Sequence, residues 1–227
     1  MTYIEIIESV ILFTLFSGVP GVVYFLLVRQ KLNSIAGTLF FILLISFLAD
    51  FGSEIYVKYV FPNSYPIGNT WHLINYIFVS ILFHQIIPNR KLINGVLLIV
   101  FYTAAVVSFF YYSFMEANPV IRVLSNVSFI VLSLLAYFEM LKTPGRALNK
   151  NPIFWTLTAI FVFCSVTLLK NLFTQYLVFD LAVSKDLFAT ITLIYLLANI
   201  GKNFALFYSL ILIDKGYGDS KIASKAT

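Results

Sequence analysis

The sequence predicts an all-α membrane protein with seven transmembrane helices. The chain has 227 residues, of which 60% are hydrophobic and only 11% are charged, whereas soluble domains average about 45–50% apolar and about 25% charged residues. Seven apolar segments approach or exceed the length of about 20 residues that crosses a bilayer. The loops between them are short, so we predict one transmembrane domain over residues 1–213 and a polar cytoplasmic tail over 214–227.

The first span, about Ile4–Val28, holds Gly18, Pro20 and Gly21 near its middle. This cluster predicts a kink, which membrane helices tolerate when neighbouring groups satisfy the freed carbonyls. The segment lacks the basic region that begins a cleaved signal peptide, so we expect it to remain as a membrane helix.

Charged residues, prolines and polar turns separate the other six spans. Phe61–Asn69 is predicted to be a turn, Pro88 ends the third span, and the pair Asn151-Pro152 opens the sixth, because proline is best tolerated in a first turn. These spans are, in chain order, about Ser34–Tyr56, Thr70–Ile87, Leu92–Phe114, Val120–Leu141, Pro152–Val178 and Leu187–Ile213.

The lysines and arginines predict the orientation of the chain. Three lie on the side of the N-terminus, at Lys58, Arg122 and Lys185. Ten lie on the opposite side, at Arg29, Lys31, Arg90, Lys91, Lys142, Arg146, Lys150, Lys215, Lys221 and Lys225. Because basic loops stay in the cytoplasm, we expect the N-terminus outside and the C-terminus inside. The net charge of +5 is therefore a topology signal, and no nucleic-acid partner is expected.

Four spans carry polar residues near their predicted outer ends, and together these predict an outward-facing polar cup. Intramembrane ionisable groups usually face a bundle interior, so each is a functional candidate. An alternative is that they only hold the bundle together, through ion pairs such as Asp50 with Lys170 or Glu54 with Arg122. The candidate ligand-binding residues are Asp50, Glu54, His72, Asn75, Arg122, Asn126, Lys170 and Gln175.

A second polar patch lies in the last span, close to the membrane midplane. Lys202 is flanked by Asn199 and Asn203, and Glu139 in the fifth span is the nearest acid by predicted depth. The patch is either a structural one, hydrogen-bonded to that glutamate or to carbonyls, or a site whose lysine faces a ligand or relays protons.

No pattern indicates a cofactor, a metal site or an enzyme. A lysine in a seventh helix suggests retinal, but microbial rhodopsins have an aspartate one turn earlier, where this chain has Ala198. His72 and His84 fall at opposite faces of the membrane, so they are not expected to share a metal. The single cysteine, Cys164, is expected to be a small buried hydrophobe. No phosphate-binding loop or nucleophile motif occurs.

Three stretches carry a family resemblance: Thr70–Lys91 (TWHLINYIFVSILFHQIIPNRK), Asn151–Ser165 (NPIFWTLTAIFVFCS) and Asn199–Ile213. Together they resemble uncharacterised seven-helix membrane proteins of Bacteroidota-type bacteria, which are similar to the membrane part of some sensor histidine kinases. The resemblance implies a bacterial inner-membrane protein. Asn75 stands where relatives tend to have glutamate, and Phe163 where they tend to have tyrosine. These departures put a shared polar site in doubt.

The expected function is that of a non-enzymatic sensory or accessory signalling module, which takes a small ligand in the outer cup. Its partners would be the lipid bilayer and a separate signalling protein at the cytoplasmic loops, above all Lys142–Lys150. We expect a separate partner because only about 14 residues follow the last span. The alternative function is a small-solute or ion transporter with a midplane site around Lys202.

Overall fold

The computed structural model describes residues 3–28, 33–142, 148–180 and 185–217, without the side chains of residues 3–7, 174–186 and 188. Secondary structure in these ranges is entirely helical. The α-helices are α1 (Tyr3–Ser17), α2 (Val19–Val28), α3 (Ser34–Tyr59), α4 (Tyr65–Ile86), α5 (Lys91–Ser108), α6 (Pro119–Leu141), α7 (Pro152–Asp180) and α8 (Lys185–Leu212). Short 3₁₀ turns precede α5 and α7, and Ile213–Tyr217 form a π-helical turn after α8.

Six stretches of the described chain are long and apolar enough to cross a membrane. They comprise part of α1 with α2, and then α3, α5, α6, α7 and α8. The prediction of a polytopic helical membrane protein is confirmed at this level. The predicted third span, which is α4, is not among the six.

Most predicted helix boundaries lie within a few residues of those observed, and two differ by more. The fourth helix begins at Tyr65 and not near Thr70, because Pro66 occupies its first turn. The helix α5 ends at Ser108 and not near Phe114. Its end is held by the Ser108 side chain, which donates to the carbonyl of Ala105 and accepts from Asn118 Nδ2. Part of the basic loop (143–147) and the tail beyond 217 lie outside the described residues.

The predicted kink of the first span is a break between α1 and α2 at Gly18. Three residues later, α2 packs so closely on α3 that a Cβ at Gly21 would lie 2.7 Å from Leu43 Cδ1. The small residue therefore serves helix packing, as is common at interfaces between membrane helices.

Five helices form a ring, in which each packs against the next: α3, α4, α6, α7 and α8. The helix α5 packs outside this ring against α4 and α6, and α1 and α2 pack outside it against α3 and α8. We call the end of the ring where α4, α6 and α8 begin the cup end. The sequence predicts that the cup end faces outside the cell.

The half of the ring farther from the cup end is filled by an apolar core. Its fully buried side chains include Leu39, Leu82, Leu132, Leu206 and Leu210. Cys164 belongs to this core, and its prediction as a buried hydrophobe is confirmed. The ring is therefore packed at one end, and its polar side chains gather toward the cup end.

Candidate ligand cavity

A cavity of about 410 Å³ lies inside the ring, and all five ring helices contribute to its wall. We call it the cup cavity. It extends from the first turn of α4, at Tyr65, to Lys202 on α8. Its charged lining residues are Asp50, Arg122, Lys170 and Lys202, and its aromatic lining residues are Tyr65, Trp71, Phe163 and Tyr195.

Lys202 is where the two predicted sites meet. Its Nζ donates a hydrogen bond to Ser46 Oγ at 3.3 Å, and Ser46 is the thirteenth of the 26 residues of α3. Lys202 thus lies level with the middle of α3. Two residues of the midplane patch, Asn199 and Lys202, therefore line the same cavity as four residues of the predicted outer cup, Asp50, His72, Arg122 and Lys170.

Each cation of the cup cavity contacts an aromatic ring. Lys170 Nζ lies 3.8 Å from the centre of the Tyr195 ring, and Lys202 Nζ lies 4.3 Å from that of Phe163. The guanidinium carbon of Arg122 lies 5.5 Å from the centre of the Tyr65 ring. Cation–π contacts of this kind hold a charge in place without neutralising it.

Asp50 is the acidic residue among those described on the wall of the cup cavity, and it accepts a hydrogen bond from a side-chain amide. Asn199 Nδ2 donates to Asp50 Oδ2 at 3.2 Å. Within the described residues, the ion pairs at 4.0 Å or less join Glu139 to Arg90 and to Lys142. Neither pair suggested by the sequence, Asp50 with Lys170 or Glu54 with Arg122, forms at that distance, so direct ion pairing does not explain these charges.

The guanidinium of Arg122 packs against α4 at Gly68. A Cβ at Gly68 would lie 3.3 Å from Arg122 Nη2, so the missing side chain makes room for the guanidinium. Arg122 is on the first turn of α6, and Asn118 caps that helix by accepting from the backbone N–H of Ile121. The cap and the glycine together position the guanidinium at the cavity wall.

Several buried polar atoms around the cup cavity have no hydrogen-bond partner in the described protein. Burying such groups unpaired is costly, so each calls for a water or a ligand. The four that belong to lining residues are Trp71 Nε1, Arg122 Nε, Asn171 Nδ2 and Asn199 Oδ1.

A smaller cavity of about 20 Å³ lies next to the cup cavity and shares His72, Trp71 and Lys202 with it. Asn75 and Asn126 also line it, so these two predicted residues lie beyond the cup cavity itself. His72 Nδ1 is 3.0 Å from Ser125 Oγ, and Asn126 Nδ2 donates to the carbonyl of Arg122 at 2.8 Å. This volume is about that of one ordered water.

The structure places three other predicted site residues away from the cup cavity. Glu54 is exposed on α3. Asn203 donates to Ser17 Oγ at 2.7 Å and so joins α8 to α1. Glu139, predicted as the nearest acid to Lys202 by depth, pairs with Arg90 and Lys142 and is not among the lining residues of the cup cavity. Its position near the C-terminal end of α6 puts it beyond the packed half of the ring. The side chain of Gln175 lies outside the described residues.

Sequence reasoning missed the aromatic lining and Gly68, although a periodic signal was present. On α8, Tyr195, Asn199 and Lys202 follow an i, i+4, i+7 spacing, which places them on one helix face. Phe163, Thr167 and Lys170 repeat that spacing on α7, as do Ser46, Asp50 and Ser53 on α3. Residues one helical turn before or after each predicted polar residue lie on the same helix face, and including them would have identified these lining residues.

No protein-family model, curated protein or solved structure matches the chain.

Proposed function

We propose that the chain is a non-enzymatic bacterial inner-membrane protein that binds a small ligand in the cup cavity and acts as a sensory or accessory signalling module. The observation that carries the proposal is the combination of cavity size and unpartnered polar atoms. Small-molecule sites typically have volumes of about 300–1,000 Å³ and a few convergent polar groups in an apolar or aromatic wall. The cup cavity, at about 410 Å³, has this composition.

The proposal includes α4 as a seventh span. Polar residues lower the hydropathy of α4, but Asn69, His72 and Asn75 are buried inside the ring. The outer face of the helix carries exposed isoleucines, among them Ile74 and Ile77. A helix with this distribution suits lipid on one side and a polar cavity on the other. With seven spans, the distribution of lysines and arginines supports a cup end that faces outside and a cytoplasmic C-terminus.

A sensory role fits a site that is closed at one end. Beyond Lys202 the ring is filled by core residues such as Leu206 and Leu210. A ligand entering at the cup end would therefore contact all five ring helices without a continuous path through the protein. Its binding energy would act on the relative positions of those helices, and a population shift of this kind is how a receptor transmits occupancy.

Cysteine labelling tests whether the cup cavity admits water and solutes. In a Cys164→Ala background, Ser53→Cys lies on the cavity wall, and Ser133→Cys lies fully buried outside it. We expect a membrane-impermeant maleimide, applied from the side of the N-terminus, to modify Ser53→Cys and to leave Ser133→Cys unmodified. Equal protection of both positions in folded protein would refute a ligand-accessible cavity.

Transport is a second candidate, because one helix is broken close to α8, beside the residue that follows Lys202. The break at Gly18 lies near Asn203, since a Cβ at Gly18 would be 3.8 Å from Asn203 Nδ2. Discontinuous helices are a recurring feature of transporter binding sites. Transport predicts solute-dependent flux in proteoliposomes that Lys202→Met abolishes. Ligand binding without flux, together with copurification of a kinase, would instead favour the sensory role.

A further inference from the structure

We infer that the cup cavity binds a small oxyanion, a carboxylate or phosphate group held between Arg122 and Lys170. The inference rests on the proposed function, because it requires a cavity that admits a ligand. It goes further by naming the chemistry of the ligand and the two side chains that recognise it.

Among the described residues that line the cup cavity, cations outnumber acids. Three cations and one carboxylate are in this set, and they carry a formal charge of +2 when all four are ionised. The carboxylate, Asp50, is hydrogen-bonded to Asn199 on α8, one turn from Lys202. Within the part of the wall that the structure describes, Arg122 and Lys170 have no acid hydrogen-bonded or ion-paired to them. Since two like charges that line one cavity repel each other, an anion bound between these two cations would compensate their charge and stabilise the bundle.

Arg122 has the geometry for an oxyanion. Its guanidinium is packed against Gly68 and over the Tyr65 ring, which limits its conformational freedom. Its Nε is buried without a partner in the described protein. A guanidinium presents N–H groups in a fixed fork that matches carboxylates and phosphates, and such pairs are among the strongest hydrogen bonds in proteins.

Lys170 provides the second charge, and neutral donors complete the wall. The Tyr195 ring holds the Lys170 ammonium from one side at 3.8 Å. Two unpartnered buried donors, Trp71 Nε1 and Asn171 Nδ2, belong to lining residues. With Arg122 and Lys170, these two make four lining residues that carry N–H donors, which suits a ligand rich in acceptors.

The volume limits the size of the anion. About 410 Å³ equals roughly a dozen waters at about 30 Å³ each. A small dicarboxylate or a phosphate fits within it. The phosphodiester of an anionic lipid headgroup also presents negatively charged oxygens, and the experiment therefore has one arm for free solutes and another for lipid.

The test is anion binding to the purified full chain in phosphatidylcholine nanodiscs. Succinate and inorganic phosphate are the solute probes, measured by calorimetry at constant ionic strength, with choline chloride as the cationic control. A second preparation in phosphatidylglycerol nanodiscs measures the melting temperature and probes an anionic headgroup. The variants are Arg122→Gln, Lys170→Gln and Gly68→Ala. Lys58→Gln is the matched control, because Lys58 also contacts a ring, that of Tyr59, but lies outside the cavity.

We expect succinate or phosphate to bind the wild-type chain, and each of Arg122→Gln and Lys170→Gln to weaken binding about 10- to 100-fold, as for the loss of a charge-assisted hydrogen bond. Lys58→Gln should bind like wild type. Gly68→Ala keeps both charges but crowds the guanidinium, so it should weaken binding severalfold and remains informative if Arg122→Gln does not fold.

If the anion is a lipid headgroup, phosphatidylglycerol should raise the melting temperature of the wild-type chain and of Lys58→Gln, but not that of Arg122→Gln. The inference is overturned if neither solutes nor phosphatidylglycerol has an effect, or if the effects are equal in all variants. Labelling of Ser53→Cys separates the two proposals. A labelled cavity that binds no anion refutes the oxyanion alone, and an unlabelled cavity refutes the proposed function as well.

Discussion

The coupling between Lys202 and Asp50 distinguishes a hydrated ligand cavity from a structural ion pair. Both residues line the cup cavity, and their charged groups lie more than 4.0 Å apart. At 4 Å, two unit charges attract by about 1 kcal/mol in water and by about 4 kcal/mol at an effective dielectric constant of about 20. A water-filled cavity therefore predicts a coupling free energy of about 1 kcal/mol or less.

A double-mutant cycle measures this quantity. The single variants are Lys202→Met and Asp50→Asn, and the free energy of unfolding of each, of the double variant and of wild type is measured in detergent micelles. Lys202→Met also loses the hydrogen bond to Ser46 and the contact with the Phe163 ring. The cycle cancels these losses, because they occur in the single and in the double variant alike.

A coupling of about 4 kcal/mol would refute this reasoning, because that is the attraction expected at 4 Å with an effective dielectric constant of about 20. It would mean that the two groups form a dry, closed pair whose role is to hold α3 against α8. Lys202→Met would then destabilise the bundle without any direct effect on a ligand.

Two further predictions concern contacts outside the cavity. Ser17→Ala should lower the free energy of unfolding by about 1–3 kcal/mol, because it leaves the buried Asn203 amide without its acceptor. Ser133→Ala is the matched control, since Ser133 is also buried but its hydroxyl has no hydrogen-bond partner among the described residues. An equal loss in both variants would contradict the assignment. Glu139→Gln should lower the free energy of unfolding only slightly, because the ion pairs of Glu139 are partly exposed. The difference between this variant and wild type should disappear in 0.5 M salt, which screens such pairs. A loss that persists at high salt would contradict a surface role.

The helices were predictable from the sequence because bilayer-length apolar segments and their polar boundaries are local features. The break at Gly18 and the opening of α7 at Pro152 follow from residue types alone. The end of α5 was not predictable in this way, because the Ser108 side chain is held by Asn118, ten residues later. A contact of that kind depends on the conformation of the turn between α5 and α6, which residue types alone do not determine.

Some of the residues that line the cavity were predictable from the sequence. Charged residues within spans indicated Asp50, Arg122, Lys170 and Lys202, which do line one cavity. Depth alone also suggested Glu139, which pairs with Arg90 and Lys142 and does not line the cavity. Depth says nothing about which helices are neighbours in the ring. Gly68 was not identified, since its role depends on the approach of a guanidinium from α6.

The most direct test of a hydrated, cation-lined cavity is fluorescence quenching of Trp71. The chain has two tryptophans, and the other, Trp155, lies at the start of α7, so Trp155→Phe leaves one reporter on the cavity wall. Iodide should quench Trp71 more strongly than caesium does, because the cavity attracts anions, and Arg122→Gln should reduce this difference. Equal and negligible quenching by both ions in folded protein would contradict the account.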